Sequence, residues 1–154
     1  MASVSTLEPQ MVEFVARARR ATLATVAASG RPRLVPVCFV LDRDRSDEAT
    51  RIWTPIDEKP KATGDPWSLA RVRDILARPA VTLLVDRWSE DWDRLGWVRL
   101  DGRARIVEAG EAPSVVLETL REKYPQYAGH DLEGRPVIEI LVEGFVTWGD
   151  LAAD

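Results

Sequence analysis

Trp97-Val-Arg-Leu-Asp-Gly-Arg-Ala-Arg-Ile106 alternates between two textures. Val98, Leu100, Gly102, Ala104 and Ile106 fall on one side of an extended chain, and Trp97, Arg99, Asp101, Arg103 and Arg105 on the other, because successive side chains of a strand point to opposite faces. One face is dry and one wet, the pattern of an antiparallel sheet. The last strand repeats it, with Ile138, Ile140, Val142, Gly144, Val146 and Trp148 set against Glu139, Leu141 and Glu143.

Working outward, Arg20-Ala-Thr-Leu-Ala-Thr-Val26, the turn cluster Ala28-Ser29-Gly30-Arg31-Pro32 and the apolar run Leu34 to Leu41 form a predicted β-hairpin. Pro32 and Pro36 have no N–H for a ladder, so one side of the second strand faces an edge, a bulge or a ligand. Asp42 to Thr50 is a charged loop, Arg51 to Thr54 a short strand, and Ala80 to Val85 a buried one. Three helices are expected. The first is capped by Ser5 or Thr6, the second runs from Trp67 to Ala77 and stops before Pro79, and the third carries Val116, Leu117, Leu120 and Tyr124. About six strands with tight turns close most economically into a small barrel. The predicted fold is mainly β: an antiparallel, Greek-key-like six-stranded barrel with peripheral helices, in a single domain over residues 1–154.

Composition bounds the function. The chain has 154 residues, 45% apolar and 30% charged, and a net charge of −4. That balance excludes the disordered class and argues against a nucleic-acid partner, since phosphate neutralisation requires a basic surface. The longest apolar run, Leu34 to Leu41, is interrupted by Pro36 and falls far short of the roughly 20 residues of a membrane span. Met1 to Gln10 shows no basic-then-apolar leader, and Cys38 is the single cysteine. A reducing, cytoplasmic setting is the expectation.

Several chemistries drop out. There is no Gly-x-Gly-x-x-Gly and no Walker-type loop. With only His130 and Cys38 as nitrogen and sulfur donors, no metal site is expected. His130 reads as a solvated loop histidine, Cys38 as a buried thiol within an apolar strand, and Glu90, Asp91 and Asp93 as a solvated turn. Two features remain. Lys59, Lys61, Arg71 and Arg73 surround the Pro-rich break after Thr54, where cations can make charge-assisted bonds to a phosphate. Trp88, Trp92 and Trp97 cluster in ten residues, suited to closing a barrel end, packing a subunit interface or walling a planar ligand.

Taken in order, Arg20 to Val26, Ser29-Gly-Arg-Pro32, Leu34-Val-Pro-Val37, Lys59-Pro-Lys61, Arg71 to Pro79, Val81 to Asp86 and Val146-Thr-Trp148 resemble the pyridoxamine-phosphate-oxidase-like flavin and deazaflavin proteins. Ile56 to Lys61, Asp91-Trp92 and Trp97 to Gly102 are similar to a branch that uses coenzyme F420, an 8-hydroxy-5-deazaflavin. The resemblance implies an FMN-binding-type split β-barrel and a homodimer with two cofactor sites at the subunit interface. It implies an F420-dependent oxidoreductase that transfers a hydride between the reduced cofactor and a small organic acceptor. The alternatives are an FMN-dependent reductase or oxidase and a non-enzymatic binding module. By the same resemblance Arg33, Val35, Pro36 and Val37 line the ring, and Thr54, Ile56 and Asp57 flank its linker. Lys59, Lys61 and Arg71 hold the phosphate, and Trp88 and Trp92 come from near the interface. Asp74 stands where many relatives carry Asn. The catalytic side chain stays unassigned, with solvent, Tyr124 or Tyr127 as the proton source.

Overall fold

A computed structural model describes residues 7–44, 49–56 and 65–152. Its elements are α1 (Pro9–Arg17), β1 (Ala21–Val26), β2 (Pro32–Val37), β3 (Val40–Asp44), β4 (Ala49–Pro55), α2 (Ala70–Ala77), β5 (Ala80–Arg87), β6 (Gly96–Val107), α3 (Ser114–Lys123) and β7 (Val137–Gly149), with three short 3₁₀ turns between them. The strands form one antiparallel sheet in the order β2-β1-β5-β6-β7-β4-β3.

That order closes the sheet. β2 and β3 are its two edges, yet only Cys38 and Phe39 join them. A two-residue link spans about 11 Å at most, whereas seven strands laid flat would hold their edges about 29 Å apart. The sheet must therefore curl until its edges meet, giving a barrel left unpaired between β2 and β3. The Leu34–Leu41 run, expected as one strand, is two strands with a corner between them, and the barrel has seven strands instead of six. Main-chain groups at such a corner lack ladder partners. Phe39 N donates to Tyr124 Oη at 3.0 Å, and the Phe39 carbonyl accepts from Lys123 Nζ at 3.0 Å.

Alternation along the strands builds two cores. Leu23, Ile52, Leu83, Leu100 and Ile140 point into the barrel, where α1 adds Val15 and α2 adds Val72 and Ile75. Trp53, one residue from Ile52, points outward with Val107 and Val137 beneath Val116, Leu117 and Leu120 of α3.

Three expectations are corrected. The dry alternation of the last strand holds only as far as Val142. Asp101 pairs with Gly144 and Gly102 with Val142, so Glu143 is an extra residue in the ladder. Such a bulge exchanges the two faces beyond it: Phe145 packs on the core, while Val146 and Trp148 are exposed. A Cβ on Gly102 would collide with the Leu141 carbonyl at this step. Second, α1 starts at Pro9 with Glu8 as its N-cap and no side-chain cap; Ser5 and Thr6 lie outside the described residues. Proline's fixed φ is already helical at that first position. Third, the Asp42 to Thr50 loop is shorter than expected, since β3 continues to Asp44 and pairs there with Ala49.

Candidate functional site at the α2 end of the barrel

β1 and β4 end, and β2 and β5 begin, at one mouth of the barrel. α2 seats there through Val72 and Ile75, and the same helix turns Asp74 inward. A buried carboxylate needs partners, and Asp74, whose side chain is 7% exposed, has two. Thr25 Oγ1 donates to its Oδ2 at 2.7 Å and Arg33 Nε donates to the same oxygen at 2.8 Å. Burial pushes this carboxyl up. The hydrogen bonds from Arg33 and Thr25, with the charges of Arg33 and Arg73, outweigh that and hold it below its ordinary value.

Arg33 is thus anchored by one nitrogen. Its side chain is 45% exposed, and its two Nη groups have no partner among the described residues. A guanidinium fixed at Nε with both Nη groups unpaired among the described residues offers a fork to a phosphate or carboxylate. Arg71 lies one turn before Asp74 on α2, and residues three apart share a helix side. The Arg33 head is thus drawn to the helix that carries Arg71. Asp74 and Thr25 were not among the expected site residues; the three-residue step from Arg71 to Asp74 was the available signal.

The remaining expected residues divide. β2 is an edge strand, as its prolines require, with Pro36 exposed, Val35 half-buried and Val37 buried. Thr54 and Ile56 reach the same mouth at the end of β4. Thr54 is buried, and its Oγ1 has no hydrogen-bond partner among the described residues. The Ile56 side chain belongs to the barrel core and its carbonyl accepts from Arg135 Nε at 2.7 Å, so neither faces outward as a linker contact. Asp57, Lys59 and Lys61 lie outside the described residues.

Trp88 and Trp92 are not brought to Arg33. They follow β5 at the opposite mouth, 68% and 72% exposed, roughly 20 Å of strand away. Between the two lies a wide outer face. The row Pro36, Thr22, Leu84, Arg99, Val146 crosses five strands, and Leu34, 69% exposed, begins the next row.

At that opposite mouth a cavity of about 470 Å³ is lined by Phe14, Arg17, Arg20, Arg87 and Leu151 among others. The expected proton donors are elsewhere and engaged. The single proton of Tyr124 Oη is shared between the carbonyl oxygens of Phe39 at 3.0 Å and Arg19 at 3.1 Å, and both Tyr124 and Tyr127 are buried. Burial raises the Tyr124 phenol further. His130 and Cys38 are half-buried, not solvated and buried respectively. His130 lies edge-on to Tyr127 at 5.6 Å, and Cys38 sits at the β2–β3 corner. Among the described residues no helix is long and apolar enough to cross a membrane, and no three His, Cys, Asp or Glu side chains gather as a metal site.

A family model described as pyridoxamine 5'-phosphate oxidase matches residues 7–149. No curated protein matches the chain. Among solved structures, a conserved hypothetical protein from Mycobacterium tuberculosis superposes with a TM-score of 0.67 at 20% identity, over 97% of this chain and 88% of its own. The heme storage protein HutZ from Vibrio cholerae gives 0.63 at 18%, over 94% and 95%. A protein described as an F420 reductase gives 0.58 at 20%, over 87% and 94%. At these identities the likeness is one of fold.

Proposed function

The chain belongs to the pyridoxamine 5'-phosphate oxidase family, and from that membership we propose that it is a deazaflavin-dependent oxidoreductase. It would transfer a hydride between reduced coenzyme F420 and a small organic acceptor. The observation that carries this reading is the Arg33 fork: a half-exposed arginine fixed by a buried carboxylate, both Nη groups unpaired among the described residues, at the barrel mouth on the edge strand β2. The donor set suits a phosphate-bearing ring cofactor, and the orphaned Thr54 hydroxyl suits its polyhydroxyl linker.

Each residue then has a defined task. Arg33 and Arg71 bind the phosphate and fix the register of the tail. Thr54 gives and takes a hydrogen bond with the linker. The unpaired edge of β2 offers main-chain groups to the rim of the ring, while Val35 and Pro36 keep that contact dry. The cofactor, when bound, supplies the hydride chemistry, and the protein supplies orientation and exclusion of water. Tyr124 and Tyr127 hold the β2–β3 corner and its flanks, leaving solvent as the proton source.

The site is shared in this proposal between two copies of the chain. Within one protomer Arg33 and Trp88 stand at opposite mouths. An antiparallel copy seated on the outer face would bring the partner's tryptophans over β2 and cover Leu34, Val26, Val146 and Trp148, which are exposed here. Large uncovered apolar area of this kind marks an interface.

Parallel titrations with coenzyme F420 and FMN, followed by acceptor-dependent oxidation of the reduced cofactor, test the reading. Binding of F420 with turnover supports it. Tight FMN binding without F420 binding replaces the cofactor, and binding without turnover makes the protein a carrier.

A further inference from the structure

We infer that Asp74 sets which phosphate the site accepts, favouring a singly charged phosphodiester over a doubly charged phosphomonoester. This rests on the proposed cofactor reading, in which the Arg33 fork meets the cofactor's phosphate. Coenzyme F420 carries its tail through a phosphodiester with one negative charge. FMN ends in a phosphomonoester, which holds between one and a half and two charges at neutral pH.

The selection is electrostatic. Asp74 Oδ2 is 2.8 Å from Arg33 Nε, and its side chain is almost wholly buried. The pair is close to neutral when seen from outside. The fork still presents directed N–H donors, which bond equally well to an oxygen of either ester. It does not present a full positive charge. The second charge of a monoester therefore loses hydration on binding without gaining a matching attraction. Arg71 and Arg73 on the same helix contribute in either case, so the effect of Asp74 is to lower the charge of the site by one unit. An Asn at this position would keep an acceptor for Thr25 Oγ1 and Arg33 Nε while restoring that unit. The geometry would stay and the charge would change.

FMN and its phosphomethyl ester share one ring and one ribityl chain and differ in phosphate charge, so they are suitable probes. Both are titrated into the full chain and into Asp74→Asn, read by flavin fluorescence, with Thr25→Val as a variant that removes a neutral hydrogen bond. The inference expects the wild type to bind the methyl ester at least as tightly as FMN. It expects Asp74→Asn to improve FMN binding relative to the ester by about tenfold, and Thr25→Val to leave the ratio unchanged. A ratio equal in wild type and Asp74→Asn overturns the inference while leaving the cofactor reading intact. If neither probe nor coenzyme F420 binds any of the proteins, the cofactor reading fails and the inference with it.

Discussion

Arg33 and Arg87 stand at opposite mouths of the same barrel and are used in opposite ways. All three nitrogens of Arg87 are engaged within the chain: Nε donates to the Arg94 carbonyl at 2.9 Å, Nη1 to the Ala152 carbonyl at 2.9 Å and Nη2 to the Asp150 carbonyl at 2.8 Å. Its guanidinium also faces the Phe14 ring at 5.5 Å. It ties the C-terminal segment to the β5–β6 turn and to α1. Arg33 gives up one nitrogen and keeps two groups outward. The count of donors already engaged by the chain thus separates a structural arginine from a binding one, although both lie in arginine-bearing strands of similar composition.

The sharpest test of this contrast is Arg87→Ala. It removes three bonds from a charged donor, and hydrogen bonds of that kind each contribute about 1.5–3 kcal/mol. Two of the three bonds are exposed, so the expected loss in urea unfolding is below their sum, about 3 kcal/mol, with cofactor affinity unchanged within about twofold. Arg33→Ala is expected to weaken cofactor binding about tenfold or more while lowering stability by about 2 kcal/mol, because Asp74 keeps only Thr25 as a partner. If the two variants moved affinity equally, the contrast would be void.

A smaller effect sharpens the Arg33 side. Asp74 is held below its ordinary value of 3.8 in the folded chain, so the unfolded chain takes up this proton first as the pH falls. Its contribution is complete above the ordinary Asp value and is lost as the pH drops through the folded one. Asp74→Asn should therefore show a shallower acid limb in stability than wild type, measured by urea titration on both sides of that value. The smallest effect belongs to the β2–β3 corner. Burial first, with Arg19 nearby, lowers Lys123 from 10.5 to about 8. Between those values the unfolded chain binds more proton, so stability should rise with pH across that window. Lys123→Met should flatten the rise in thermal melting curves.

The legible part of this molecule was its periodicity. Wet-and-dry alternation along Trp97 to Ile106 located a long strand, Pro79 marked the end of α2, and Pro32 and Pro36 left an edge, a bulge or a ligand open for a strand that the sheet order makes an edge. The corner at Cys38-Phe39 was hidden, because apolar residues continue through it and its main-chain partners, Tyr124 and Lys123, lie 85 and 84 residues away. The Glu143 bulge was hidden for a related reason: an extra residue in a ladder is defined only by the strand opposite. At the site, the sequence marked Arg33 and Arg71 as candidates but not the grip of Asp74 and Thr25. That grip depends on where α2 meets the ends of β1 and β2, a tertiary placement without a local signature.

On the proposed reading, the Nη groups of Arg33 hold the phosphate of a ring cofactor. Calorimetric titration of coenzyme F420 into the wild type and Arg33→Ala, with melting temperatures recorded on the same samples, tests it most directly. Wild type is expected to bind saturably and the variant about tenfold or more weakly, still folded and with its melting temperature lowered by several degrees; equal affinity in the two proteins would refute the assignment.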